Sequence, residues 1–319
     1  MTTNPYLISR QAFLRGAALT SLIPFLPVIR PALAAAIGLT EVAPGIFVHQ
    51  GKFAEVDRDN AGDISNMSFI IGKEAVAVVD TGNSDHIGMA VREAISTITP
   101  LPIRYVINTH MHPDHVLGNA AFKADNPKFV AHHKMARALS ARAEGYLARN
   151  KERMGDENFA GTEIVLPTEV VTDTLDLDLG ARKITLRARP TAHTDNDLTI
   201  FDQITQTLLL GDLAFSARIP TIDGSIVGWL KVIKELKSES TARVVPGHGP
   251  PSMEMSAAMG PMERYLTVVA NDVRAAIKDG KTIMQATETA GLSEKDKWLL
   301  FDDNHKRNVT AAFAELEWE

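Results

Sequence analysis

The sequence contains no cysteine. That single absence removes disulfides, thiolate metal sites and cysteine nucleophiles together, so any metal must be held by imidazole and carboxylate. It fixes no compartment, because an exported protein can manage without disulfides. Basic residues are also short: 33 lysines and arginines face 39 acids, for a formal charge of −6. Such a balance argues against a nucleic-acid or anionic-membrane partner, which calls for a basic face. Long apolar runs are missing too. The stretch Gly16–Ile29, GAALTSLIPFLPVI, is about 14 residues, shorter than the roughly 20 that span a bilayer as a helix, so no integral membrane segment is expected. There is no internal repeat and no low-complexity tract. What remains is an ordinary globular composition, 45% apolar and 23% charged over 319 residues, ample for a proper core.

The first 36 residues differ from the rest. They hold Arg10, Arg15 and Arg30, no acid, the apolar stretch just named, and then Ala32-Leu33-Ala34-Ala35-Ala36. A basic start, a short apolar region and an A-x-A site make residues 1–36 a signal peptide cut near Ala34 or Ala36, and the mature protein periplasmic or secreted. The alternative is an uncleaved amphipathic tail. Ser9-Arg10-Gln11-Ala12-Phe13-Leu14-Arg15 resembles a twin-arginine export signal, with Gln11 where the second arginine is expected. Loss of residues 1–34 would take three positive charges from a total of −6, leaving −9.

Short apolar runs predict buried strands at Met67–Ile71, Ala75–Val79, Ile103–Ile107, Phe129–Ala131, Leu198–Phe201, Thr207–Leu210 and Arg243–Val245, with a half-exposed strand at Arg182–Arg187. Helical patterns fall between them, at His86–Ile98, Val116–Phe122, His133–Ala148 and Val227–Leu236. Interleaved strands and helices imply an α/β protein with layered sheets. The domain runs over residues 37–255. Residues 256–319 read as a helical C-terminal extension, with helices at Pro261–Ile277, Thr282–Ala290 and His305–Leu316. The polar stretch 134–165 is either a lid near the site or a solvated surface hairpin.

The chemistry lies in Thr109-His110-Met111-His112-Pro113-Asp114-His115. Four potential ligands in six residues cannot converge from a regular helix or strand, but they can from a loop at a strand's end. His110 and His112, two apart, share a side of an extended backbone. Pro113 then turns the chain and sends Asp114 and His115 to a neighbouring position, which suits two adjacent metals. His132 and His133 read as scaffold, and His49, His86 and His305 as structural.

This motif resembles the signature of the metallo-β-lactamase superfamily, over about residues 40–250. The resemblance implies a four-layer αβ/βα sandwich and three further ligands: His193 in Thr191-Ala192-His193-Thr194, Asp212 in Gly211-Asp212-Leu213, and His248 in Pro246-Gly247-His248-Gly249-Pro250. One metal would take His110, His112 and His193; the other, Asp114, His115 and His248; Asp212 would bridge. Two zinc ions suit these donors better than iron or manganese. Asp80, in Val79-Asp80-Thr81-Gly82, matches an aspartate that supports the ligands from behind, though helix capping would also explain it. An aspartate at position 212, where typical β-lactamases have Cys or Ser, is similar to glyoxalase II-type thioesterases. It is shared with phosphodiesterases and di-iron flavoproteins, but the latter carry an acid where His112 stands.

The leader, the loop Pro220-Thr221-Ile222-Asp223-Gly224-Ser225 and the ending Asn308–Glu319 further resemble quinoprotein relay system zinc metallohydrolases, which implies association with a periplasmic quinoprotein dehydrogenase system. The activity implied is hydrolysis of a small-molecule ester, thioester or lactam-like bond. A metal-bridging hydroxide would attack the carbonyl, and Asp114 would orient it or relay a proton. The other readings are a true β-lactamase, an iron-dependent redox protein and a metal-binding accessory protein.

Overall fold

The computed structural model describes residues 37–319; the expected signal peptide and its cleavage site lie outside the described residues. The first sheet has seven strands in the order of the chain: β1 (Leu39–Ala43), β2 (Ile46–His49), β3 (Met67–Ile71), β4 (Val76–Val79), β5 (Ile103–Ile107), β6 (Lys128–His132) and β7 (Glu169–Val171). Pairing is antiparallel from β1 to β4 and parallel from β4 to β7. The second sheet contains β8 (Thr174–Asp178), β9 (Lys183–Ala188), β10 (Leu198–Asp202), β11 (Thr207–Phe215) and β12 (Arg243–His248), with β12 parallel to β11 and the rest antiparallel.

The strands are almost wholly apolar because both of their faces are covered. Alternate residues of β4 divide accordingly. Val76 and Val78 pack with Ile87, Val91 and Ile95 of α1 (Asp85–Ile98), while Ala77 and Val79 face Ile184, Leu198 and Leu209 of the second sheet. In β11, Leu209 faces between the sheets. Leu208 and Leu210 face the other way, onto Trp229 of α4 (Ile226–Leu236) and Met262 and Leu266 of α5 (Met255–Lys278). The layers therefore run helix, sheet, sheet, helix. The helices after residue 255, which include α6 (Ile283–Thr287) and α7 (Phe301–Leu316), share one core with α4 and the outer face of β11 and β12. Among the described residues no helix is long and apolar enough to cross a membrane.

Four expectations need correction. The helix expected at Val116–Phe122 is one α turn, α2 (Pro113–Val116), followed by a 3₁₀ run over Leu117–Asp125. The carbonyl of His115 is already taken by Thr81 N–H at 3.0 Å and Asn108 Nδ2 at 3.1 Å, so it cannot serve the next α turn. The segment expected at His133–Ala148 is a longer helix, α3 (Met135–Phe159), bent at Gly155, whose φ of 82° is not helical. It is not a hairpin: its apolar side buries Met135, Leu139, Tyr146 and Met154 with Met111 and Leu117. The expected end of the Thr207 strand at Leu210 is passed, and Asp212 lies inside β11, which continues irregularly through Gly211 (φ 51°). The helix expected at Pro261–Ile277 starts earlier, at Met255, with Pro261 within it.

At the edge where β3 and β10 end, Arg182 joins the two sheets. Its guanidinium donates to Asp202 at 2.8 and 3.0 Å and to the carbonyls of Pro44 and Ile71 at 2.9 Å each. The opposite edge carries the site.

Candidate metal centre

Parallel pairing brings the C-terminal ends of β4, β5, β11 and β12 to that edge. All seven side chains expected as ligands meet there. His110, His112, His193 and Asp212 form one group of donors, and Asp114, His115 and His248 a second. In the first, His112 Nδ1 lies 3.1 Å from His110 Nε2 and 2.9 Å from His193 Nε2. In the second, Asp114 Oδ2 is 3.6 Å from His115 Nε2 and 3.3 Å from His248 Nε2. Asp212 reaches both: its carboxylate lies 3.6 Å from His110, 3.4 Å from His193, 3.2 Å from His115 and 3.4 Å from His248.

These separations suit a metal. Bonds of about 2.0–2.1 Å to a tetrahedral zinc put neighbouring donors about 3.3 Å apart. The hydrogen bonds suit one too, because each imidazole spends its N–H outward. His193 Nδ1 donates to the Thr221 carbonyl at 2.7 Å, and His248 Nδ1 to the Ile64 carbonyl at 2.8 Å. His115 Nδ1 donates to Asp80 at 2.7 Å, and His112 Nε2 to Asp223 at 3.0 Å. Thr109 Oγ1 gives its proton to Asp80 at 2.7 Å and so accepts from His110 Nδ1 at 3.0 Å. A carbonyl or carboxylate can only accept, so these contacts fix the tautomers and leave five ring lone pairs facing inward. Two of the inward atoms, His115 Nε2 and Asp212 Oδ1, are buried without a hydrogen-bond partner, a costly state unless something else binds them.

Electrostatics follow the same division. Burial pushes His110 well below its ordinary value and His193 down to about 3, so both rings are neutral and open to ligation. Burial also opposes charge on His115 and His248, but Asp212 with its neighbours outweighs it and raises both. Asp212 and Asp114, although buried, are held below the usual carboxylate range by the histidines around them. The second group therefore favours positive charge where a cation would bind.

Asp80 does not cap α1; Ser84 does, accepting from Ile87 N–H at 3.3 Å. The Asp80 carboxylate instead takes the Thr109 N–H at 2.8 Å, in addition to Thr109 Oγ1 and His115, and so fixes the loop that carries His110–His115. Glycine is required at two places behind Asp212. A Cβ on Gly211 would lie 2.5 Å from Thr109 Oγ1, and one on Gly247 would overlap the Asp212 carboxylate. His132 and His133 stack on each other outside both donor groups. His49 is buried against Asp63, and His305 is buried between Tyr265 and the Ala290 carbonyl.

The model matching the family described as "Metallo-beta-lactamase superfamily" covers residues 61–248, more than half of the chain. The chain belongs to the metallo-beta-lactamase superfamily. Among curated proteins it is similar to a linear primary-alkylsulfatase from Pseudomonas sp. (strain ATCC 19151), 22% identical over 56% of this chain and 40% of the relative. It thus spans about two-fifths of that relative's length. Among solved structures it resembles a metallo-beta-lactamase from Pontibacter korlensis (TM-score 0.59, 16% identity, 72% of this chain and 98% of the other). It also resembles TMB-1 (TM-score 0.56, 17% identity, 72% and 96%). At these identities the structural matches establish the fold. The superfamily match and the two His/Asp clusters together point to divalent-metal binding at this edge.

Three features escaped the sequence reading. Asp223 orients His112 across the cleft. The loop that carries it is gripped by α7: Asn308 Nδ2 donates to the Pro220 carbonyl at 2.6 Å and its Oδ1 accepts from Ile222 N–H at 2.9 Å, while Glu315 accepts from Ser225 Oγ at 2.5 Å and Ile226 N–H at 2.7 Å. Two of the three segments that carry the quinoprotein-relay resemblance, the loop and the ending, are thus bonded to each other. Phe215 stacks on His248 at 5.0 Å and Trp229 meets His193 at 5.2 Å, so an aromatic ring packs against one imidazole of each donor group. In front is a cleft of about 420 Å³ onto which Arg142, Arg149, Arg153, Arg218 and Arg307 open.

Proposed function

We propose that this protein is a two-zinc hydrolase of small-molecule esters or thioesters. The observation that carries this is the reach of Asp212: one buried carboxylate stands 3.2–3.6 Å from four imidazoles of two donor groups. One zinc would be held by His110, His112, His193 and Asp212, and the other by Asp114, His115, His248 and Asp212. Metals there would bring the pKa of water towards about 7 and polarise a carbonyl oxygen.

The chain's own groups do the rest. Asp114 is one of four donors that also line the cleft, with His112, Asp212 and His248, and its carboxylate would orient the attacking water or relay its proton. Asp223 holds His112 in one tautomer, and burial raises the pKa of Tyr146, which stays a neutral donor toward the cleft. Phe215 and Trp229 pack against His248 and His193 and hold those rings in place.

A bridging carboxylate favours bonds whose leaving group departs unaided. Thiolates and activated alkoxides do so; a lactam nitrogen needs a proton or a metal position left open to it. Metal analysis should find close to two zinc ions per chain. With zinc present, kcat/KM for a thioester or 4-nitrophenyl ester should exceed that for a chromogenic cephalosporin. A cephalosporin preferred by about tenfold, near 1.4 kcal/mol of transition-state preference, reverses the assignment. Similarity to an alkylsulfatase, together with the arginine-lined cleft, supports a second reading in which the bond is a sulfate ester. Turnover of 4-nitrophenyl sulfate above the carboxylic ester selects it. One tightly bound iron and no hydrolysis would instead mean redox chemistry in the same donors.

A further inference from the structure

The wall of the cleft facing the donors is α3. Arg142, Arg149 and Arg153 stand on it seven and then four residues apart, with Tyr146 and Asn150 between them, and all five line the cleft. Such spacings lie along one stripe of a helix. Neutralisation along the stripe is uneven. Arg142 Nη2 is 3.5 Å from Asp223, and Arg307 approaches the same carboxylate at 3.9 Å. Arg218, which is buried, meets Glu55 at 3.2 Å. Arg149 and Arg153 have no ion-pair partner among the described residues; the guanidinium of Arg149 lies 5.8 Å from the Tyr146 ring centroid. Lys151, off the stripe, does find an acid, Asp156, at 3.2 Å. Cations are therefore left unpaired on the cleft side of a helix in a chain whose net charge is −6.

We infer that the substrate carries an oxyanion group remote from the bond that breaks, and that Arg149 and Arg153 of α3 bind it. The word substrate rests on the hydrolase reading; the anion site itself does not. Distance makes the group remote. At 1.5 Å of rise per residue, Arg149 and Arg153 stand about 10 and 16 Å along the helix from Arg142. Arg142 is the one beside Asp223 and hence beside His112. An acid held by Arg149 and Arg153 lies two to three helical turns from the donors. Its partner is a planar fork that takes carboxylate, phosphate or sulfate oxygens in pairs. This recognition differs from a sulfate ester at the reacting bond, where the anion would meet the donors themselves. The substrate class is thus an elongated monoester or thioester of a dibasic acid, or one with an equivalent charged tail.

The test pairs two esters that differ only at the far end, 4-nitrophenyl hydrogen suberate and its methyl-capped form, 4-nitrophenyl methyl suberate. The zinc-loaded wild-type protein should prefer the free acid in kcat/KM by about tenfold or more, chiefly through KM, as expected for a charge-assisted pair. In the double variant Arg149→Gln/Arg153→Gln that ratio should fall towards one, and added salt should weaken it in the wild type. Binding is measured separately, by calorimetry with suberate and monomethyl suberate, each of which keeps one carboxylate for the metal end. Tighter binding of suberate to the wild type, lost in the double variant, supports the anion site even if neither ester is turned over, in which case the ester reading alone fails. Equal affinity for the two acids, or a suberate margin that survives in the double variant, overturns the inference.

Discussion

The two sheets supply the centre in opposite ways. The first delivers four donors from a single loop, His110–His115, pinned beneath by one buried carboxylate, Asp80. The second delivers three donors from three places: His193 between β9 and β10, Asp212 within an irregular β11, and His248 at the end of β12. Its support is also dispersed, reaching from His193 through Thr221 to Asn308 and Glu315 of α7, and Asp223 of the same loop steadies His112 of the first sheet. The contrast teaches that a compact motif carries most of its own scaffold, with His112 the exception, whereas scattered donors borrow theirs from helices far along the chain.

The sharpest way to break this contrast is at the residue both sides share. Asp212→Ala should release metal from both groups and lower activity more than about a hundredfold, beyond what outer partners alone account for. Metal content and kcat check it, with circular dichroism to show that the fold persists; full turnover with two metals bound would remove the bridge. Next comes the support of the first sheet. Asp80→Ala leaves His115 Nδ1 and the Thr109 N–H without their acceptor, so affinity at the Asp114/His115/His248 group should fall by about 10–100-fold. Competition titration with a chelator reads this directly. Support from the second sheet should matter less and elsewhere. Glu315→Ala frees the start of α4 and loosens the Asp223 loop, with a loss of about tenfold at the His110/His112/His193 group and little at the other. If both variants weaken the same metal equally, the division between the sheets is wrong.

The smallest expected effect concerns the helical layer alone. Burial lowers the pKa of His305, which in its neutral form donates to the Ala290 carbonyl and accepts from Tyr265. The unfolded chain takes up this proton near pH 6.5 while the folded one resists. Stability should therefore hold above that pH and decline as pH falls below it, by at most about 1.4 kcal/mol per unit. Chemical denaturation of wild type and His305→Gln between pH 5 and 8 isolates the contribution, since the variant should lose that part of the slope.

Much of this was legible in the sequence, for physical reasons that differ by element. The central strands announce themselves because two covered faces demand unbroken apolar runs. His110–His115 is legible because its donors are contiguous; His193, Asp212 and His248 become so only through their order. Edge strands β1 and β7 escaped, β1 for its half-exposed pattern and β7 for its three-residue length. β8 alternates visibly, Leu175 and Leu177 inward, yet was passed over. The His112–Asp223 bond spans 111 positions, and no local pattern encodes it. The arginine spacing on α3 was present as a period, but a helix polar on most sides does not declare which stripe faces a cleft.

The clamp at Arg182 has a mechanical consequence. It ties the sheets at one edge through a buried bidentate pair and two carbonyls, so the sandwich behaves as a pair of jaws with a fixed pivot. At the open edge, donors from the first jaw face donors from the second. Ions seated between them would fasten the jaws covalently in all but name, a removable rivet in a chain that has no cysteine with which to make a permanent one. Chelation would then do more than stop turnover: it would let the free edge gape, with faster amide exchange at residues 108–116 and 246–249 than at the pivot.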